Sequence, residues 1–100
     1  MHILIVQFNL EDLTHEEFVA STDEAAPHWA AIPGLITKHW LSSEETNTYG
    51  GVYLFESKEA MQTYKDSELC SQLLATPNFV NFVVTDFDLI ENASRITRAI

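Results

Sequence analysis

Positive charge is what this chain has least of. Five Lys and Arg stand against fifteen Asp and Glu among 100 residues, a formal net charge of −10. That scarcity argues against a nucleic-acid partner, because affinity for phosphate backbones comes largely from basic side chains that displace counterions. It argues equally against anionic membrane surfaces. Cysteine is nearly absent too: Cys70 alone cannot close an intramolecular disulfide, and its leucine neighbours mark it as an inert core thiol. Long apolar runs are missing. His2-Ile3-Leu4-Ile5-Val6 has no basic region before it and is far shorter than the ~20 residues that span a bilayer, so neither leader nor anchor is expected. The expectation is a cytoplasmic protein with no membrane association. The four histidines, His2, His15, His28 and His39, show no ligand spacing such as a helical i, i+4 pair, and no metal site is expected.

What remains is a chain that folds. Apolar residues make up 46% and charged residues 20%, which rules out a disordered acidic tail. With three glycines and three prolines in 100 residues it reads as one domain, 1–100. The apolar set, 11 aromatics included, exceeds what one small core hides, and a partner surface is expected.

Residues 2–9 are a short β-branched run that reads as a strand. Thr14 followed by Glu17 is a capping-box pattern, and Phe18, Thr22, Ala25, Trp29 and Ile32 recur at helical spacing after it. Pro27 lies inside that helix and removes a backbone bond, so a kink is expected there. Pro33-Gly34 ends it. Residues 35–42 and 48–56 read as two strands joined by a polar stretch, a hairpin whose strands are apolar on both faces. Ser57 opens a helix over 58–65, the apolar phase breaks at Asp66-Ser67, and Ser67 opens a second short helix over 68–75. The last strand is 79–89. The tail 91–100 carries Arg95 and Arg98, with Ile96 and Ile100 at helical spacing, and is a candidate C-terminal arm onto a partner.

The sum is β-α-β-β-α-β, an α+β ferredoxin-like unit with a four-stranded antiparallel sheet and both helices on one face. Nothing in that order covers the other face. A strand apolar on both sides needs cover on both sides, so two such units are expected to pair face to face as a homodimer, closing a shared barrel.

The block Pro33-Gly34-Leu35, Lys38, Trp40, Glu44 and Gly50-Gly51-Val52-Tyr53-Leu54-Phe55, at this spacing, resembles the YdhR-like putative monooxygenase family of the dimeric α+β barrel superfamily. Phe8-Asn9, Pro27, Tyr64, Phe87-Asp88 and Glu91 extend the likeness over most of the chain. His39 and the His28-Trp29 pair are outside the pattern. The resemblance implies oxidation of a small aromatic or polycyclic phenol by dioxygen with no cofactor, neither metal nor flavin. The protein then supplies a dry aromatic cavity, a proton acceptor and a donor that holds the anion.

If the hairpin loop has an even number of residues, Lys38 and Trp40 share a sheet face with Gly51, Tyr53 and Phe55. Glycine opposite Trp40 leaves room for the indole, and Lys38 falls near the Tyr53 hydroxyl. A lysine desolvated there has a lowered pKa and serves as acid or anion holder. Lys38 and Tyr53 are therefore the candidate catalytic pair. The plain alternative is a Lys38 that snorkels to solvent, with Trp40 and Phe55 in the core or dimer seam, and a Tyr53 that is simply hydrogen-bonded. Trp29, His39, Trp40 and Phe55 are candidate substrate contacts. Trp29 faces the sheet from the first helix, and His39, pointing to the opposite face from Trp40, titrates near neutral pH.

Three rivals stand beside this reading. RNA-recognition modules share the element order, and Gly50 to Phe55 mimics their aromatic strand, but they need a basic surface that this chain lacks. An isomerase, a lyase or a non-catalytic ligand-binding protein on the same barrel is the stronger rival, since one scaffold carries many chemistries. A pure dimerisation module is the third.

Overall fold

The computed structural model describes residues 1–100. Its elements run β1 (His2–Leu10), α1 (His15–Ala30), β2 (Leu35–Ser43), β3 (Thr48–Phe55), α2 (Lys58–Lys65), α3 (Glu68–Leu74), β4 (Phe79–Asp88) and α4 (Glu91–Ile96). The expected α+β order is present, with the tail adding one short helix. The four strands form one antiparallel sheet in the order β2-β3-β1-β4, the ferredoxin-like arrangement.

Local chemistry fixes the starts of α1, α2 and α3. Thr14 Oγ1 accepts from the Glu17 amide at 3.1 Å while Glu17 Oε1 accepts from the Thr14 amide at 3.0 Å, so two orphan donors are satisfied reciprocally. Ser57 and Ser67 cap α2 and α3 through the amides of Ala60 and Cys70. The break at Asp66 is therefore a true boundary: Ser67 starts a new helix with its own apolar side. Helix α1 continues through Pro27 to Ala30. The turn after it needs Gly34, whose φ of +80° lies in the left-handed region, and a Cβ there would meet that of Ala60 at 2.6 Å.

The β2–β3 hairpin pairs Ser43 with Thr48, leaving four loop residues. That even count sets the register. Lys38 lies opposite Tyr53 and Trp40 opposite Gly51, on the face toward the helices, while His39 lies opposite Val52 on the other. Leu4, Val6 and Phe8 of β1 join Tyr49, Tyr53 and Phe55 of β3 on the inner face, where they pack with Phe18, Met61, Tyr64 and Cys70 as one core. Burial pushes the Cys70 thiol up, which fits an inert core group.

The outer face is treated differently. Val83 is 54% exposed and Phe87 56% exposed, with Ile3, Ile5 and Val52 half-buried beside them. At one end the C-terminal tail folds back on its own chain, and Arg98 and Ala99 line a shallow pocket there with Thr37, His39 and Leu54. Among the helices none is long and apolar enough to cross a membrane.

Candidate functional site

Strand alternation, the hairpin register and one helix converge on Lys38. Its Nζ lies 3.4 Å from the Trp40 ring centroid, 4.5 Å from that of Trp29 and 4.6 Å from that of Tyr53. Three aromatic faces surround one ammonium. The two indoles meet edge to face with centroids 5.7 Å apart. Gly51 makes this possible, because a Cβ there would stand 2.6 Å from Lys38 Cε and 3.3 Å from Tyr53 Cε1. The glycine is the floor on which the lysine stem lies.

No carboxylate pairs with Lys38, and its Nζ takes part in none of the side-chain hydrogen bonds. Desolvation without a counter-ion lowers its pKa to about 7. No fully buried side-chain nitrogen or oxygen lacks a partner, so Nζ, which has none, still touches solvent. At neutral pH the group is divided between amine and ammonium.

Tyr53 is reached differently from expectation. Its ring, not its hydroxyl, faces Lys38; the hydroxyl is engaged by Trp29 Nε1 at 3.2 Å and by the Tyr64 hydroxyl at 3.2 Å. Trp29 Nε1 also reaches the Tyr64 oxygen at 3.3 Å. Burial pushes both phenols up, so both stay protonated and act only as neutral hydrogen-bonding groups. Trp29 thus shows the ammonium its face and the tyrosines its N–H.

The cavity beside this cluster has a volume of about 70 Å³ and is walled by Phe8, Phe18, Leu73 and Phe79 besides the residues already named. It is far below the ~300 Å³ at which pockets start to enclose a drug-sized molecule. Lys38 is part of the cavity wall. Trp40, at 36% exposed, stands at its mouth. A surface groove between α1 and α3 shares Ala25, Trp29, Leu73 and Phe79 with the cavity, so the two lie side by side.

Of the residues singled out from sequence, Lys38, Tyr53, Trp29 and Trp40 come together. Phe55 and His39 do not join them. Phe55 is wholly buried one layer deeper, stacked on Tyr53 and Tyr64, and His39 lies across the sheet. Tyr64, Phe18 and Phe79 were legible only as helix or strand core, since nothing local ties them to β3. No group of three or more His, Cys, Asp or Glu side chains is placed to hold a metal ion.

A four-stranded antiparallel sheet in this order, with its main helices over one face, defines a small α+β domain of ferredoxin-like fold. The chain belongs to the family described as "Putative mono-oxygenase ydhR", whose family model matches residues 3–100. No curated protein sequence matches it. Among solved structures it is similar to a protein of unknown function from Nitrosomonas europaea, with 15% identity over 89% of this chain and 88% of that one and a TM-score of 0.74. It is similar to SnoaB, a cofactor-independent oxygenase from Streptomyces nogalater, with 14% identity over 90% and 93% and a TM-score of 0.70. MhuD, a heme-degrader from Mycobacterium tuberculosis with two hemes bound in its active site, aligns with 17% identity over 90% and 96% and a TM-score of 0.69. At these identities the likeness is one of fold.

Proposed function

We propose that this domain is a cofactor-independent monooxygenase that oxidises a small aromatic or polycyclic phenol with dioxygen, and that it works as a homodimer joined through the outer sheet face. The observation that carries the reading is the unpaired Lys38 amine inside an aromatic box. Near pH 7 its neutral form accepts the proton of an acidic phenol. The ammonium so formed then stands beside the phenolate and supplies the counter-charge that the site otherwise lacks.

The carbanion-like enolate passes one electron to dioxygen, the radical pair joins in a C–O bond, and the peroxide loses water to leave a quinone carbonyl. One oxygen atom ends in the product and one in water, and the substrate supplies every electron. Trp29, Trp40 and the Tyr53 ring hold the aromatic plane, with Tyr53 and Tyr64 fixing the Trp29 indole from behind. A polycyclic ring needs Lys38 to draw back or Trp40 to swing, because the free cavity is about 70 Å³. The exposed Val83 and Phe87 support the dimer, since a sheet face this apolar is stable when covered.

Oxygen uptake with a panel of hydroxylated aromatics is the test, read beside the oligomeric state from analytical ultracentrifugation. Stoichiometric uptake with quinone formation, lost or sharply reduced in Tyr53→Phe, is expected. Full activity in that variant removes the Tyr53 hydroxyl from the reaction and leaves only its ring as a wall of the site. An isomerase or lyase reading rests on the same amine, because proton transfer needs Lys38 alone while the Tyr53 hydroxyl is already engaged. Product formation under nitrogen selects it, and saturable binding with no product selects a carrier.

A further inference from the structure

The chain holds three lysines, Lys38, Lys58 and Lys65, and only Lys38 is enclosed by aromatic walls. Lys58 is exposed on α2 and Lys65 half-buried at its end. We infer that the Lys38 amine is also a nucleophile, condensing reversibly with a small uncharged aromatic aldehyde or ketone to form an imine, the aryl group entering the aromatic-walled space as Lys38 draws back or Trp40 swings. This rests on the cavity geometry and not on the oxidation proposed above, and it stands if that oxidation is absent.

Three features of the site carry it. The amine has no carboxylate or hydrogen-bond acceptor to hold it as ammonium, yet it still touches solvent and so is open to attack chemistry. A lysine in such a setting is the activated form used for Schiff-base chemistry. Two indoles and a phenol ring lie within 4.6 Å of Nζ, which places aryl-binding surface where the carbonyl substituent must sit. Lys38 is also the sole basic residue in the cavity wall, so nothing there receives a phosphate or carboxylate on the ligand. That selects a neutral carbonyl compound.

The step balances without a co-reactant. The nitrogen lone pair attacks the carbonyl carbon, the C–N bond forms, and a proton passes from nitrogen to oxygen to give a carbinolamine. The hydroxyl then leaves as water with the second nitrogen proton, while the nitrogen lone pair forms the C=N bond. The imine is uncharged, so the loss of hydration that disfavours the ammonium here does not disfavour the adduct. With a pKa of about 7, half the Lys38 amines are free at pH 7, against about one in 2,500 for a lysine at its ordinary value.

The test is reductive trapping of the intact protein under nitrogen with 2-naphthaldehyde and sodium cyanoborohydride at pH 7, followed by peptide mass mapping. Lys38 is expected to be alkylated at least about tenfold faster than Lys58 or Lys65 and about threefold faster than the α-amine. Its labelling rate is expected to climb with pH and level off above about 7. Lys38→Arg removes that adduct and leaves the others. Labelling spread evenly over the amines, or a folded protein in which Lys38 stays unlabelled, overturns the inference. Because no phenol is present and no oxygen is consumed, its failure and that of the oxygenase reading are told apart.

Discussion

Two basic side chains lie on the inner face of one sheet, and they are held in opposite ways. His2 on β1, 3% exposed, has Asp86 Oδ2 at 2.5 Å from Nε2 and Asp88 Oδ1 at 2.8 Å from Nδ1. Both carboxylates come from β4, so the imidazole ties the edge strand to its neighbour, and His2 in turn holds the Asp86 carboxyl below the usual carboxylate range. Lys38, toward the other edge, has aromatic faces and no acid. The first basic group is satisfied within the chain and serves structure. The second is left for something outside the chain, which is what a binding group looks like before its ligand arrives.

The contrast breaks most visibly at Lys38. Lys38→Met keeps the length of the stem and removes the charge, and oxidation of a found phenol is expected to fall by about 100-fold or more, while the urea midpoint stays level or rises because an unpaired, desolvated cation is gone. A parallel loss of stability makes Lys38 structural and erases the contrast. His2→Ala is the mirror experiment. The cavity left by a buried ring and the lost bonds to β4 cost about 1–3 kcal/mol, with oxygen uptake per folded molecule staying within about twofold, read by chemical denaturation beside the activity assay.

Gly51→Ala sharpens the comparison by acting on the lysine from below. The new Cβ would meet Lys38 Cε at 2.6 Å, and a flexible stem yields more readily than backbone. The amine is pushed toward solvent, its pKa rises, and the acid limb of the activity profile moves up from about 7, while uptake at pH 7 drops a few-fold, on the order of the lost neutral fraction. A separate effect is in stability against pH. The folded chain binds fewer protons at Lys38 than the unfolded chain between about 7 and 10.5, so this group makes stability rise as pH climbs through that window. Subtracting the Lys38→Met titration, by urea melts at pH 6 and pH 9, isolates the rise; a flat difference rejects the lowered pKa.

Much of the frame was legible because its signals are local. Thr14 with Glu17, the two serine caps and the phase break at Asp66 each act within one turn of chain, and all appear where the pattern put them. The register was legible on a condition, an even loop, which the Ser43–Thr48 pairing meets. Long-range geometry was not legible. Whether Lys38 met the hydroxyl or the ring of Tyr53 depended on Tyr64, eleven residues away and on another element, claiming that hydroxyl first. The depth of Phe55 was hidden for the same reason, since Tyr64 comes from another element to pack on it beside Tyr53. The tail was expected as an arm onto a partner, a role that needs a second chain; within this one Arg98 and Ala99 line a pocket with His39. Its sequence carries no record of which surface lies within reach.

The chain contains two tryptophans, and both press against the same nitrogen. Indole emission responds to a nearby charge and to what stacks on the ring, and no third indole dilutes the signal. Intrinsic fluorescence is therefore a built-in gauge of this one amine: titration, adduct formation and the arrival of an aromatic guest each register in the unlabelled protein, with no reporter added and no substrate yet known.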